Sequence, residues 1–221
     1  MKCIIFDFDG TILDSKTIAQ NALNKAIDLL KFNCGHISLF NKPLFYPELL
    51  IKVIGEEQKL ELHEERLLLS KYREFLSKEE SEAHINNVIV QTLLKLRNRE
   101  VMVSIYSDRR TANLSALVSQ YSLDDCFTLI CGRDLMQPKP STQFIDFLSS
   151  RYAIRKKDIL FIGDTDTDYL VAQRSDIYYA HAKYSNELSN ESWKYCDIMI
   201  DTPEDLENKI NVFLDHGFEH V

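Results

Sequence analysis

The stretch Cys3-Ile4-Ile5-Phe6-Asp7-Phe8-Asp9-Gly10-Thr11 decides the fold of this chain. Its first four residues are apolar and β-branched at the centre. A run that short, with no polar alternation, reads as a strand buried on both faces, which places it at the middle of a parallel sheet. Asp7 then stands at the strand's carboxyl end, with Asp9 two residues on. In open α/β sheets that edge is where ligands bind, so the two acids are candidates for chemistry. The competing reading is a solvated turn, because Asp and Gly are ordinary turn residues.

Outward from this stretch, Ser15 to about Asn33 carries Ile18, Ala22, Leu23, Ala26, Ile27 and Leu30 at helical spacing. Asp14 or Ser15 would cap that helix, and Asn33 with Gly35 would end it. Pro43 and Pro47 punctuate the connection to a helix that should stop near Gly55. A longer helix follows, with Leu60, Leu67, Leu68, Tyr72, Phe75 and Leu76 inward and a Glu74–Lys78 pair on its charged face. From about residue 85 helices alternate with short apolar runs, the pattern of a parallel α/β sheet. The runs are Val101–Tyr106, Phe127–Ile130, Ile159–Ile162, Ile177–Ala182 and Asp197–Ile200. Helices are expected up to Asn98, over Thr111–Gln120, through Phe144 and Phe147, up to Arg174 and over Pro203–Leu214. Gly217–Val221 reads as a loose tail.

Composition bounds the function. The chain has 221 residues, 45% hydrophobic and 27% charged, with a formal net charge of -8. That balance suits a soluble globular protein and argues against a general nucleic-acid or anionic-membrane surface. Its five cysteines, Cys3, Cys34, Cys126, Cys131 and Cys196, include no Cys-x-x-Cys pair, so neither a disulfide framework nor a zinc site is expected. No targeting or membrane-spanning stretch is read, and a cytoplasmic location is the expectation.

Four apolar runs end in compatible polar residues: Asp7 with Asp9, then Ser107, then Lys139, then Asp164 with Asp168. Singly, Ser107 is a helix cap, Lys139 a surface lysine and 164–168 a capped helix start. Jointly, a parallel sheet would bring them to one edge. Clustered carboxylates repel unless a cation sits among them, and oxygen ligands suit a hard ion such as Mg²⁺. An ionised Asp can attack phosphorus, while a lysine and a hydroxyl hold the phosphoryl oxygens and a second carboxyl moves protons.

These residues carry a close resemblance to the haloacid dehalogenase-like hydrolases, particularly their phosphoglycolate-phosphatase-like branch. Asp7-Phe8-Asp9-Gly10-Thr11 matches the first motif, Ser107 after its apolar strand the second, Lys139 in Pro-Lys-Pro the third, and Gly163-Asp164 through Asp168 the fourth. The resemblance implies a Rossmann-like three-layer α/β/α core over 1–14 and 85–221, with a helical cap inserted over 15–84. It implies Asp7 as nucleophile, Asp9 as general acid/base, and Mg²⁺ held by Asp7, the Asp9 carbonyl and Asp164. Phosphate contacts would come from Gly10, Thr11, Ser107, Asp108 and Lys139, with Asp168 bonding Lys139 or a metal-bound water.

The implied activity is a phosphatase acting on a small phosphorylated metabolite. Asp108 stands where Asn is common and Asp176 where Gly is common, and the cap carries no recognisable specificity motif, so phosphoglycolate itself is not supported by sequence. On the same fold a sugar-phosphate mutase or a phosphonate hydrolase is an alternative, the latter needing a cap lysine such as Lys16, Lys25 or Lys52. A receiver-type module or a non-catalytic phosphate-binding protein is the alternative of a different class. The first would place its phospho-acceptor after a middle strand and lack an insert. The second sits poorly with a complete motif set.

Overall fold

The computed structural model describes residues 1–32, 37–39, 47–185 and 192–217. The expected helix stop at Asn33 and Gly35, Cys34, Pro43 and residues 218–221 lie outside them. The chain divides into two compact units, Met1–Leu13 with Ile85–Val221, and Asp14–His84.

The first unit is built on six parallel strands, β1 (Lys2–Phe6), β2 (Val101–Tyr106), β3 (Leu129–Cys131), β4 (Ile159–Gly163), β5 (Tyr178–Ala182) and β6 (Ile198–Ile200). Their spatial order is β3-β2-β1-β4-β5-β6, so β1 lies between β2 and β4. The chain reverses direction of winding at β1. Such a switch point opens a crevice at the strands' carboxyl ends. Cys3, Ile4, Ile5 and Phe6 are all fully buried, as expected of a strand covered on both faces.

In this unit, helices α4 (Asn87–Arg97), α5 (Thr111–Gln120), α6 (Gln143–Tyr152), α7 (Asp166–Ser175) and α8 (Asp205–His216) flank the sheet. Cys3, Ile5, Met102, Tyr106, Phe161 and Tyr179 form one core with Phe144, Ile145 and Leu148 of α6 and Val171 and Ala172 of α7. Ile4, Phe6, Val103 and Ile105 alternate with these and are buried on the other face. There Lys95 of α4 bonds Glu207 of α8 at 2.6 Å, and Arg99, two residues past α4, bonds Asn211 of α8 at 2.5 Å. Gly217 closes α8 with φ +68°.

The second unit holds α1 (Ser15–Leu30), α2 (Pro47–Gln58) and α3 (Leu62–Glu82). Asp14 accepts from the Thr17 N–H and caps α1, whose Ile18, Ala22, Leu23, Ala26 and Ile27 are buried. Of these, Ala22, Leu23, Ala26 and Ile27 pack with Leu50, Ile51 and Ile54 of α2 and Leu68 and Tyr72 of α3. In detail the sequence reading needs correction. α1 ends at Leu30 because Lys31 takes the left-handed conformation. α2 continues through Gly55 to Gln58, its three apolar anchors outweighing a glycine cost of about 1 kcal/mol. Leu67 is 45% exposed rather than inward. Glu74 pairs with Lys71, and Lys78 reaches Glu82 at 3.9 Å. β3 starts two residues later than expected, and Asn98 ends α4 at φ -88°.

Candidate active site

The carboxyl ends of β1 and β4 bring three acids together. Asp7, Asp164 and Asp168 are almost wholly buried, and one carboxylate oxygen from each lies within 4.8 Å of the others. Asp7 directly follows β1, its N–H donating to the Ile162 carbonyl of β4 at 2.8 Å. Lys139 Nζ bridges two of them, at 2.8 Å from Asp7 Oδ1 and 2.6 Å from Asp168 Oδ1.

Each member is held by local structure. Asp168 is the third residue of α7, and its Oδ2 accepts from the Thr165 N–H at 3.0 Å and the Thr165 hydroxyl at 2.6 Å. The Thr165 Oγ1 accepts in return from the Asp168 N–H, completing a reciprocal cap. Both Asp168 oxygens are therefore engaged. Lys139 sits in a loop pinned from several sides: its N–H donates to Asp108 Oδ1 at 3.1 Å, the Tyr106 hydroxyl donates to the Gln137 carbonyl at 2.7 Å, and Arg174 donates to the Pro140 carbonyl at 3.2 Å.

Gly10 is required by close approach. At φ +80°, a Cβ there would stand 2.2 Å from Asp164 Oδ2. The Thr11 hydroxyl donates to Asp164 Oδ1 at 3.4 Å, and its carbonyl accepts from Tyr184 at 2.8 Å. Ser107 is buried after β2, its N–H on the Cys131 carbonyl and its Oγ accepting from the Arg109 N–H. The Asp9 carboxylate is bonded by Arg109, whose Nε lies 2.8 Å from both oxygens.

Electrostatically the site is short of positive charge. Burial pushes the Asp7 carboxyl well above its usual range; Lys139 pulls it down, and Asp168, Asp164 and Asp9 push it up again. Burial would depress Lys139, but Asp168, Asp7 and Asp108 overcome this and hold its ammonium charged. Burial also raises Asp108, against the pull of Lys139. Elsewhere, burial pushes Cys3 up to about 12 and Cys131 up to about 11, so neither is a ready nucleophile.

Of the residues singled out from sequence, Asp7, Asp164, Asp168 and Lys139 converge directly, with Gly10 and Thr11 against Asp164. Asp108 serves the Lys139 backbone. Sequence reasoning missed Arg109, Tyr106 and Thr165. Only Thr165 left a legible signal, as a Thr three residues before an acid at a helix start.

A doubly wound parallel sheet with buried acids and a lysine at its carboxyl edge defines an α/β enzyme. The family follows from the sequence itself: residues 4–182 match the haloacid dehalogenase-like hydrolase family, and the chain belongs to it. It is 24% identical over 220 residues to a phosphoglycolate phosphatase of Aquifex aeolicus, covering 93% of this chain and 95% of that one. Among solved structures it resembles a Haemophilus somnus protein assigned as a phosphoglycolate phosphatase (TM-score 0.78, 18% identity, 96% and 98% of the two chains). It also resembles a Thermotoga maritima protein assigned as a β-phosphoglucomutase (TM-score 0.79, 14% identity, 96% and 99%). At these identities the structural likeness speaks to fold alone.

Proposed function

We propose that this hydrolase is a Mg²⁺-dependent phosphatase that cleaves a small phosphorylated metabolite through an aspartyl-phosphate on Asp7. The observation that carries the reading is the buried Asp7, Asp164 and Asp168 cluster with Lys139 bridging two of its members. Three carboxylates against one ammonium leave excess negative charge out of water, which is costly without a further cation. The donors are oxygens only, as a hard divalent ion prefers. Because Asp168 is spent on Lys139 and Thr165, Asp7, Asp164 and the Asp9 carbonyl are the groups that would hold it. When bound, Mg²⁺ supplies charge neutralisation to the transferring phosphoryl oxygens.

The chain's own residues do the rest. Lys139 holds one Asp7 oxygen, leaving the other to form the bond to phosphorus as the ester P–O bond breaks. The departing oxygen takes a proton from Asp9. In the second half Asp9 takes a proton from water, the resulting hydroxide attacks phosphorus, and Asp7 and inorganic phosphate are released. Ser107 and Lys139 stabilise the equatorial oxygens, with Gly10, Thr11 and Asp108 lining the same group. We read Asp14–His84 as the family's cap, the unit that discriminates among substrates.

The test is phosphate release from p-nitrophenyl phosphate with and without Mg²⁺. Activity should require the metal, vanish with EDTA and fall by at least about 10³-fold in Asp7→Asn. Metal-independent turnover, or survival of Asp7→Asn, overturns the mechanism. The names of its relatives make 2-phosphoglycolate the first metabolite to assay, followed by sugar phosphates.

A further inference from the structure

The mechanism above leaves Arg109 without a task, yet this residue holds both carboxylate oxygens of Asp9. Its Nε lies 2.8 Å from both oxygens of Asp9, and Nη2 lies 2.7 Å from Oδ1. The pair is largely withdrawn from water, the Arg109 side chain being 19% exposed and that of Asp9 9%. By contrast, Lys95–Glu207 on the surface is 59% and 39% exposed and screened accordingly. The guanidinium also lies 5.9 Å from the centre of the Phe8 ring, which favours a cation over its face.

The backbone of Arg109 is fixed as firmly as its side chain. Its N–H donates to Ser107 Oγ at 3.2 Å, and its carbonyl accepts from the Arg133 N–H at 2.9 Å. Gly132, just after β3, permits that approach, since a Cβ there would lie 2.5 Å from the Arg109 carbonyl oxygen. Two strand ends therefore hold Arg109, and Arg109 holds Asp9.

We propose that Arg109 is a positioning residue for Asp9, fixing the orientation from which Asp9 gives a proton to the leaving oxygen and takes one from water. This rests on the reading of Asp9 as the proton-moving group. A planar fork with several donors can fix both the direction and the rotation of a carboxylate, which a lysine, as a point charge, cannot. The competing role is a stitch between two loops, which would affect every substrate alike.

The two roles separate by leaving group. A p-nitrophenolate departs without being protonated, whereas the alkoxide of β-glycerophosphate needs a proton. Arg109→Ala and Arg109→Lys are made in the native chain and in Asp9→Asn, and kcat and KM are measured with Mg²⁺ on both esters. Arg109→Ala should lower the alkyl-to-aryl ratio of kcat/KM, which reports formation of the aspartyl-phosphate and not its shared hydrolysis, at least about tenfold. Arg109→Lys should restore part of it. In Asp9→Asn the same substitution should move the ratio less than about twofold, because the two residues act as one unit.

Equal losses of kcat/KM on both esters, or a further fall of that ratio in Asp9→Asn, overturns the inference. If Asp9→Asn itself leaves the ratio unchanged, the reading of Asp9 fails and this one with it. If Asp9→Asn lowers the ratio and Arg109→Ala does not, only the role of Arg109 is lost. Should Arg109→Ala fail to fold, Arg109→Lys carries the same comparison.

Discussion

At the scale of single residues the site is governed by how closely charged groups approach one another. Gly10 shows this most directly. Its bare Cα lets the Asp164 carboxylate come where a methyl would stand at 2.2 Å, and its φ of +80° disfavours any L side chain. Gly10→Ala should cost about 1–2 kcal/mol of stability by denaturant titration. It should cost more in chemistry, a fall of about 100-fold in kcat/KM, because an ångström of displacement at Asp164 disturbs the reacting geometry. A variant as active as the native chain would show that Asp164 tolerates displacement and is no ligand.

At the scale of elements, two helix caps of the same kind serve different ends. Asp14 caps α1 through the Thr17 N–H, and Thr165 caps α7 while bonding Asp168. Asp14→Ala and Thr165→Ala should each cost about 1 kcal/mol in chemical denaturation. They should part company in the phosphatase assay. Thr165→Ala removes the 2.6 Å bond that steadies Asp168 against Lys139, so kcat should drop several-fold, whereas Asp14→Ala should leave kcat within about twofold. Equal kinetic effects would mean that the α7 cap is structural only.

The elements were also the most legible level of the sequence. The apolar runs that became β1, β2, β4, β5 and β6, and the stripe on α1, follow from local periodicity and were placed to within a residue or two at most ends. Misplaced boundaries have a common cause. Leu67 lies on the exposed side of an apolar stretch of α3 whose Leu68 is the residue turned to the core, and α2 runs past Gly55 because Leu50, Ile51 and Ile54 anchor it. Packing overrode propensity in both places.

At the scale of the whole molecule, stability toward acid should depend on a residue outside the chemistry. His181, in β5, is buried, and burial lowers it below its ordinary 6.5 against the upward pull of Asp168 and Asp166; Lys183 adds to the lowering. Its Nδ1 lies 3.1 Å from the Tyr179 hydroxyl. The folded state therefore refuses a proton that the unfolded chain accepts. Above about pH 6.5 this contributes nothing; below it, stability falls until the folded-state value is reached. His181→Gln should remove that share, so the native chain loses more stability than the variant between about pH 7 and pH 5 in urea titrations. Parallel losses would show that His181 protonates in place.

The sequence by itself determined which runs would be strands, that they would pair in parallel, and which acids and serine would stand at their ends. Those features are written locally, in periodicity and in the residue that follows each apolar run. Only the tertiary structure decided that Lys139 lies between Asp7 and Asp168, that Gly10 must be bare for Asp164, and that Asp9 is gripped by Arg109. Arg109 and Asp9 are a hundred residues apart in sequence. Their meeting depends on the order of β1, β2 and β3 and on loop geometry, which no local pattern around Arg109 announces.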